Sequence, residues 1–165
     1  MGTWTTTPRT WVAGEVVTAS QFNANLRDFG RAFSDAWTSY TPTLTASTTN
    51  PTNWTQTGYF MQAGKLVVVK FRLVAGASMT AGSGTYRVAL PVNAAYMAGT
   101  EFASGGVEMW DASANTVQIG IASPRNTAYL QITYPGTTTN TVGNAAPWTW
   151  AANDTITGTL TYEAA

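Results

Sequence analysis

The sequence predicts a mostly β protein: an antiparallel β-sandwich, with the jelly roll as one form of it, preceded by an extended N-terminal arm and one amphipathic α-helix. Three observations predict this. Segments with apolar residues at period two recur from residue 65 to the end, separated by Gly, Pro, Asn and Asp. Helical period occurs in one stretch only, ahead of those segments, so the strand–helix alternation that builds parallel βαβ units is missing. A chain of 165 residues also has enough apolar surface for one main core.

The first element is the arm, Gly2 to Trp11, which is β-branched and aromatic. Pro8 removes a backbone donor and argues against a central strand, while Trp4 and Trp11 suit docking on another surface. The helix follows. Thr18-Ala19-Ser20-Gln21 matches a capping box, and Val17 with Phe22 can add a hydrophobic staple. Phe22, Leu26, Phe29, Phe33 and Trp37 then recur every three or four residues, forming one stripe of a helix expected to end near Thr38 or Ser39. Two readings of the stripe stay open: packing on the protein's own β domain, or a parallel cluster with the helices of other copies. An isolated helix of this length is marginal, so the second reading needs the β domains to associate too. This divides the chain into residues 1–39, an arm and helix for docking and oligomerisation, and residues 40–165, the sandwich.

From Tyr40 to Pro51 the chain is rich in Thr, Ser and Pro, read as a strand or a tight connection. In Lys65 to Val74, residues Val67, Val69, Phe71 and Leu73 are expected to face the core, with Lys70 and Arg72 on the opposite face. Further strands are expected at Thr85 to Leu90, Gly106 to Trp110, Thr116 to Ile121, Ala128 to Tyr134 and Thr155 to Tyr162. Asp111 to Asn115 suits a hairpin turn, and Ser123 to Asn126 a second turn. In the last strand Ile156, Gly158, Leu160 and Tyr162 share one face and four threonines the other.

The chemistry open to the chain is narrow. His and Cys are both 0, which removes the usual neutral-pH base, the thiolate nucleophile, and the imidazole and thiolate metal ligands. No catalytic residue, metal or cofactor is expected, and the protein is read as not an enzyme. Glu101, Glu108 and Asp111 invite a glycosidase reading, but Glu108 reads more simply as a solvated strand position. Ala81 to Thr85 has no Gly-Lys-Ser or Gly-Lys-Thr and precedes a strand, so it is a turn and not a phosphate loop. Lys+Arg and Asp+Glu balance at 8 each, so no field draws nucleic acid or anionic lipid. Neither a secretory signal nor membrane insertion is expected. Only 10% of residues are charged while 44% are hydrophobic, a balance that favours ordered assembly.

Trp148 and Trp150 are two positions apart, so a strand would place them on one face, and Trp110 could join them. Core or subunit packing is the first reading. A glycan platform is the second, with Glu108, Trp110, Trp148, Trp150 and Asn153 as its residues, because flat rings beside polar groups can bind and orient a sugar.

Trp11 to Asp28 resembles the opening module of small bacteriophage virion proteins, described as minor tail, head-fibre or capsid-decoration proteins, especially from phages of actinobacteria. Trp37 to Leu44, Gly58 to Val67 and Gly82 to Pro91 are similar to that group too. The resemblance implies a homotrimeric virion surface protein, assembled in the host cytoplasm. Its N-terminal segment, through Trp4, Trp11, Phe22, Leu26, Phe29, Phe33 and Trp37, would attach to a phage major capsid protein. A minor tail or baseplate protein whose β domain binds a host-surface glycan is the alternative. No extended repeated shaft is present, which favours head decoration.

Overall fold

The computed structural model describes residues 12–23, 30, 37–95, 104–136 and 140–165. Its architecture is mostly β, with one short helix and an antiparallel sheet. The helix begins as the capping box requires: Thr18 N donates to Gln21 Oε1 at 3.0 Å, and Gln21 N to Thr18 Oγ1 at 3.2 Å. Residues 19–23 are helical, and Val17 and Phe22 are both exposed. Trp4, Trp11, Leu26, Phe29 and Phe33 lie outside the described residues. Thr38 and Ser39, expected at the helix end, are instead in strand β1 (Thr38–Tyr40), where Thr38 pairs with Phe60 and Tyr40 with Gly58. A strand neighbour satisfies their backbone groups and seats Tyr40 edge-on to Phe60, ring centroids 5.9 Å apart.

The backbone of the fold is one long hairpin. Strands β3 (Thr52–Ala63) and β4 (Leu66–Thr80) meet at Gly64-Lys65, where Gly64 takes the positive φ of 59° that so short a turn demands. The ladder runs from Ala63 opposite Leu66 to Trp54 opposite Ala75, then slips to place Thr52 opposite Thr80. Beyond the slip the register holds. Thr49 bridges Ser83, and strands β2 (Leu44–Ala46) and β5 (Tyr86–Ala89) continue the same two strands, with Ala46 opposite Tyr86 and Leu44 opposite Val88. Residues 47–51 and 81–85 are therefore a corner in a continuous ribbon. Gly82 makes it possible: its φ is +64°, and a Cβ there would collide with the Thr49 carbonyl oxygen.

Strands β6 (Gly105–Asp111), β7 (Thr116–Pro124), β8 (Tyr129–Tyr134), β9 (Asn140–Thr141) and β10 (Thr155–Glu163) complete the sheet. Among the described residues the strand order is β1-β3-β4-β10-β6-β7-β8-β5-β2, with β9 beside β8 and every pairing antiparallel. The expected strands are all present, and Asp111 pairs with Thr116 across the expected hairpin turn. Val67, Val69, Phe71 and Leu73 are buried together with Ile156, Leu160, Val107 and Met109. Each such side chain contributes about 1.5–3 kcal/mol by leaving water. The other end of the strand order supplies Leu44, Tyr86, Val88, Leu130 and Ile132 to the same core. Trp54 of β3 meets Tyr86 of β5 edge-on, ring centroids 6.2 Å apart, although the two strands stand far apart in the order.

Candidate functional site

The face of the sheet turned away from this core is built in rows, because directly paired residues of antiparallel strands point the same way. The middle row runs Thr57, Arg72, Thr157, Glu108, Ile119 across β3, β4, β10, β6 and β7. All five are exposed. On one side lies the row Thr55, Val74, Thr155, Trp110, Val117. On the other, Tyr59, Lys70 and Thr159 are in register on β3, β4 and β10, and Gly106, Ile121 and Thr133 on β6, β7 and β8.

The two halves of this face differ in chemistry. Over β3, β4 and β10 there is a shallow hollow of about 440 Å³ whose lining includes Thr57, Tyr59, Lys70, Arg72, Thr157 and Thr159. The Lys70 ammonium sits 4.5 Å from the Trp37 ring centroid and 5.5 Å from that of Tyr59, so two ring faces hold it over the hollow. Over β7 the surface is aliphatic: Val117, Ile119 and Ile121 are 54%, 57% and 53% exposed. β6 pairs along β7 from Thr116 to Ala122, whereas β8 joins the other side from Ile121 onward, so Val117 and Ile119 lie where β7 has one strand neighbour among the described residues. The strand turns its larger residues outward because the inner position at Gly120 is already filled. A Cβ there would lie 2.8 Å from Thr133 O, with Ile132 and Met109 side-chain atoms at 3.1 and 3.2 Å. Beside Ile121, Gly106 faces open space, which keeps the surface flat.

The aromatic residues singled out from the sequence do not form one platform. Trp150 is 4% exposed, donates from Nε1 to Gly143 O at 2.8 Å, and packs against Trp54, Tyr86 and Trp148. Its place as a glycan contact is corrected to one in the core, where three aromatic neighbours remove its ring from water. Residues 148 and 150 belong to no strand, so the period-two expectation for them fails, although their rings still meet at 5.4 Å. Trp148 is half-buried and donates from Nε1 to Asp154 Oδ2 at 3.3 Å. Trp110 alone of the three points outward, beside Thr155 and Val117, with Nε1 3.4 Å from Asn115 Oδ1. Glu108 is exposed on the same face, while Asn153 sits in a turn with φ 73° and donates its backbone N–H to Ala75 O.

Two carboxylates, Asp154 and the Asp111 of the hairpin turn, organise this end of the sheet. Asp154 is 0% exposed, and its oxygens accept from Ala112 N at 2.9 Å, Ala151 N at 2.8 Å and Trp148 Nε1. The Asp111 carboxylate accepts from Ser113 N, Ser113 Oγ and Ala114 N at 2.9, 2.7 and 2.9 Å. The Ala114 amide, followed by the Ser113 hydroxyl, holds the Asp111 carboxyl below the usual carboxylate range. Both carboxylates are thus occupied with backbone donors. Glu101 lies outside the described residues, and among those described no three His, Cys, Asp or Glu side chains gather as a metal site.

Tyr59, Val117, Ile119 and Ile121 are candidate surface residues that the sequence reading did not single out, whereas Lys70 and Arg72 lie on the outward face expected for them. The signal available was the Thr116 to Ile121 strand, whose large apolar residues alternate with Gln118 and Gly120. Comparison with family models, curated proteins and solved structures finds no match to the chain.

Proposed function

We propose that this chain is a non-enzymatic, oligomeric bacteriophage virion surface protein that decorates the head and is attached by its N-terminal segment. The observation that carries the reading is the aliphatic stripe Val117, Ile119 and Ile121, more than half exposed on the outward face of the sheet in a chain with only 10% charged residues. A contiguous apolar strip of this kind marks a surface that associates. The exposed Val16, Val17 and Phe22 around the capped helix start support association through the N-terminal segment as well. The resemblance of Trp11 to Asp28 to virion proteins supplies the setting. We take the sheet to fold over itself as a jelly-roll-like sandwich, a reading supported by the cornered hairpin and by the Trp54–Tyr86 contact.

The test is localisation in particles and mass in solution. A gold label on the protein is expected at the head of intact particles, and the purified protein is expected to sediment as a trimer. A monomer at every concentration, or a label confined to the tail tip, refutes the reading. The hollow beneath Lys70 favours a second reading, a tail or baseplate protein that binds a host-surface glycan, because Tyr59 offers a flat ring beside cations and hydroxyls. Binding to host cell-wall sugars by the assembled protein is the observation expected from that alternative.

A further inference from the structure

We propose that the hollow over β3, β4 and β10 binds a sugar that carries a carboxylate, with Lys70 and Arg72 holding the acid and Tyr59 stacking on the sugar ring. This rests on the reading of the hollow as a host-glycan site and names the class of sugar it takes; it is independent of whether the protein sits on the head or the tail.

The charges of the hollow select an anion. Lys70 and Arg72 lie on one face of β4, about 7 Å apart along the strand. Both are exposed, and among the described residues the ion pair is Lys65–Glu163, which involves neither. Lys70 has Tyr59 and Thr159 as its cross-strand neighbours, and Arg72 has Thr57 and Thr157, so the positions directly beside both cations are uncharged. The Trp37 and Tyr59 rings hold the Lys70 ammonium by their faces, 4.5 and 5.5 Å from their centroids, and leave its N–H groups to donate to a ligand. The planar Arg72 guanidinium matches a carboxylate with two parallel N–H donors. Glu108 lies beyond Thr157 in the Arg72 row, where it competes with an acidic ligand.

The surroundings of the charges fit a sugar better than a peptide or a nucleic acid. β4 is paired with β3 on one side and β10 on the other at both Lys70 and Arg72, so its backbone groups are taken and no peptide strand can add there. Two cations on a chain of formal net charge +0 are too few for a phosphate backbone, whose binding draws on many. The volume of about 440 Å³ falls within the range of small-ligand sites, about 300–1,000 Å³. Thr57, Thr157 and Thr159 line it with hydroxyls that both donate and accept, as sugar hydroxyls do. Tyr59 is 40% exposed and offers a ring face to the apolar face of a pyranose. Because Tyr59 is directly opposite Lys70 in the ladder, the acid has to lie close to the stacked ring. A carboxylate borne on the pyranose itself, as in a uronic acid, meets that condition, whereas a phosphate joining open-chain polyols brings no ring to stack.

Isothermal titration calorimetry on the full chain tests this, with oligomers of glucuronic and of galacturonic acid, the same oligomers reduced at their carboxyls to neutral sugars, poly(glycerol phosphate) and polyglutamate as probes. A uronic oligomer is expected to bind at least about tenfold tighter than its reduced counterpart, and to weaken as salt is raised from about 50 to 500 mM. Lys70→Gln and Arg72→Gln are each expected to weaken acid binding about tenfold at an unchanged circular dichroism spectrum, with Arg72→Lys, which keeps the charge, falling between. Tyr59→Leu should weaken acidic and reduced sugars alike, and Glu108→Gln, which removes the competing carboxylate, should tighten the acid. Equal binding of acidic and reduced oligomers overturns the acid preference and leaves a neutral-glycan site standing. Poly(glycerol phosphate) or polyglutamate bound as tightly as the uronic oligomers, or acid binding unchanged in both cation variants, overturns the proposed site. No uronic binding by a protein that does bind host cell-wall sugars overturns this inference alone; no binding of either kind overturns the glycan reading with it.

Discussion

Asp154 Oδ1 accepts the backbone N–H of Ala112 at 2.9 Å, tying the end of the β6–β7 hairpin to the start of β10. Its other oxygen accepts from Ala151 N and Trp148 Nε1, so one fully buried carboxylate serves three donors from two loops. Asp154→Ala leaves all three without their acceptor and is expected to cost about 3–5 kcal/mol, at about 1–3 kcal/mol for each orphaned buried group less what water recovers. Asp154→Asn keeps one acceptor oxygen and should cost about half as much. Urea unfolding of the three proteins checks the order.

Trp150 and Trp110 should respond oppositely to truncation. Trp150→Ala empties a site enclosed by Trp54, Tyr86 and Trp148 and is expected to cost about 3–5 kcal/mol, with loss of near-UV circular dichroism. Trp110→Ala removes a ring on the outward face and should cost about 1 kcal/mol or less in the monomer. Equal losses would contradict this division.

The corner in the long hairpin depends on Gly82. Gly82→Ala sets a Cβ against the Thr49 carbonyl oxygen at a φ of +64°, and is expected to destabilise by more than about 1 kcal/mol. Thermal unfolding of the variant measures it. A neutral result would mean that the ribbon turns without strain at this position.

Stability should fall at both extremes of pH. Burial pushes the Tyr162 phenol up to about 12, against about 10 for an exposed tyrosine. A raised folded-state value means that its contribution is complete below about pH 10 and is lost as the pH rises through about 12. Burial raises Tyr40 and Tyr86 as well, so the alkaline loss is shared. For Asp111 the sign reverses: the lowered carboxyl contributes above about pH 4 and loses that contribution as the pH falls through its folded value. Denaturant titrations from pH 2 to 11.5 should show a shallower alkaline limb for Tyr162→Phe and a shallower acid limb for Asp111→Asn.

Local pattern is strongest where one side of a strand is apolar and the other polar. Val67 to Leu73 and Ile156 to Tyr162 alternate in this way, and the structure buries the residues expected. The Thr18–Gln21 capping box and the turn at Asp111 to Asn115 were equally legible, since each rests on hydrogen bonds within a few residues. β3 was harder to see because Gln56 and Gly58 interrupt its buried side, where Gly58 makes room for the Tyr40 ring. Period two also misleads at β7: it marks Val117, Ile119 and Ile121 as one face, and taken alone turns that face inward.

The sequence by itself determined the mostly β class, most of the strands and the capped helix start, because these follow from periods and hydrogen bonds that span a few residues. Only the tertiary structure decided that Trp150 lies in the core while Trp110 points outward, and that Ile119 shares a row with Glu108, Thr157 and Arg72. Those residues lie far apart in the chain and become neighbours only through strand pairing. A local period reports that two faces exist; pairing and the filling of the interior, as at Gly120, choose which of them meets the core.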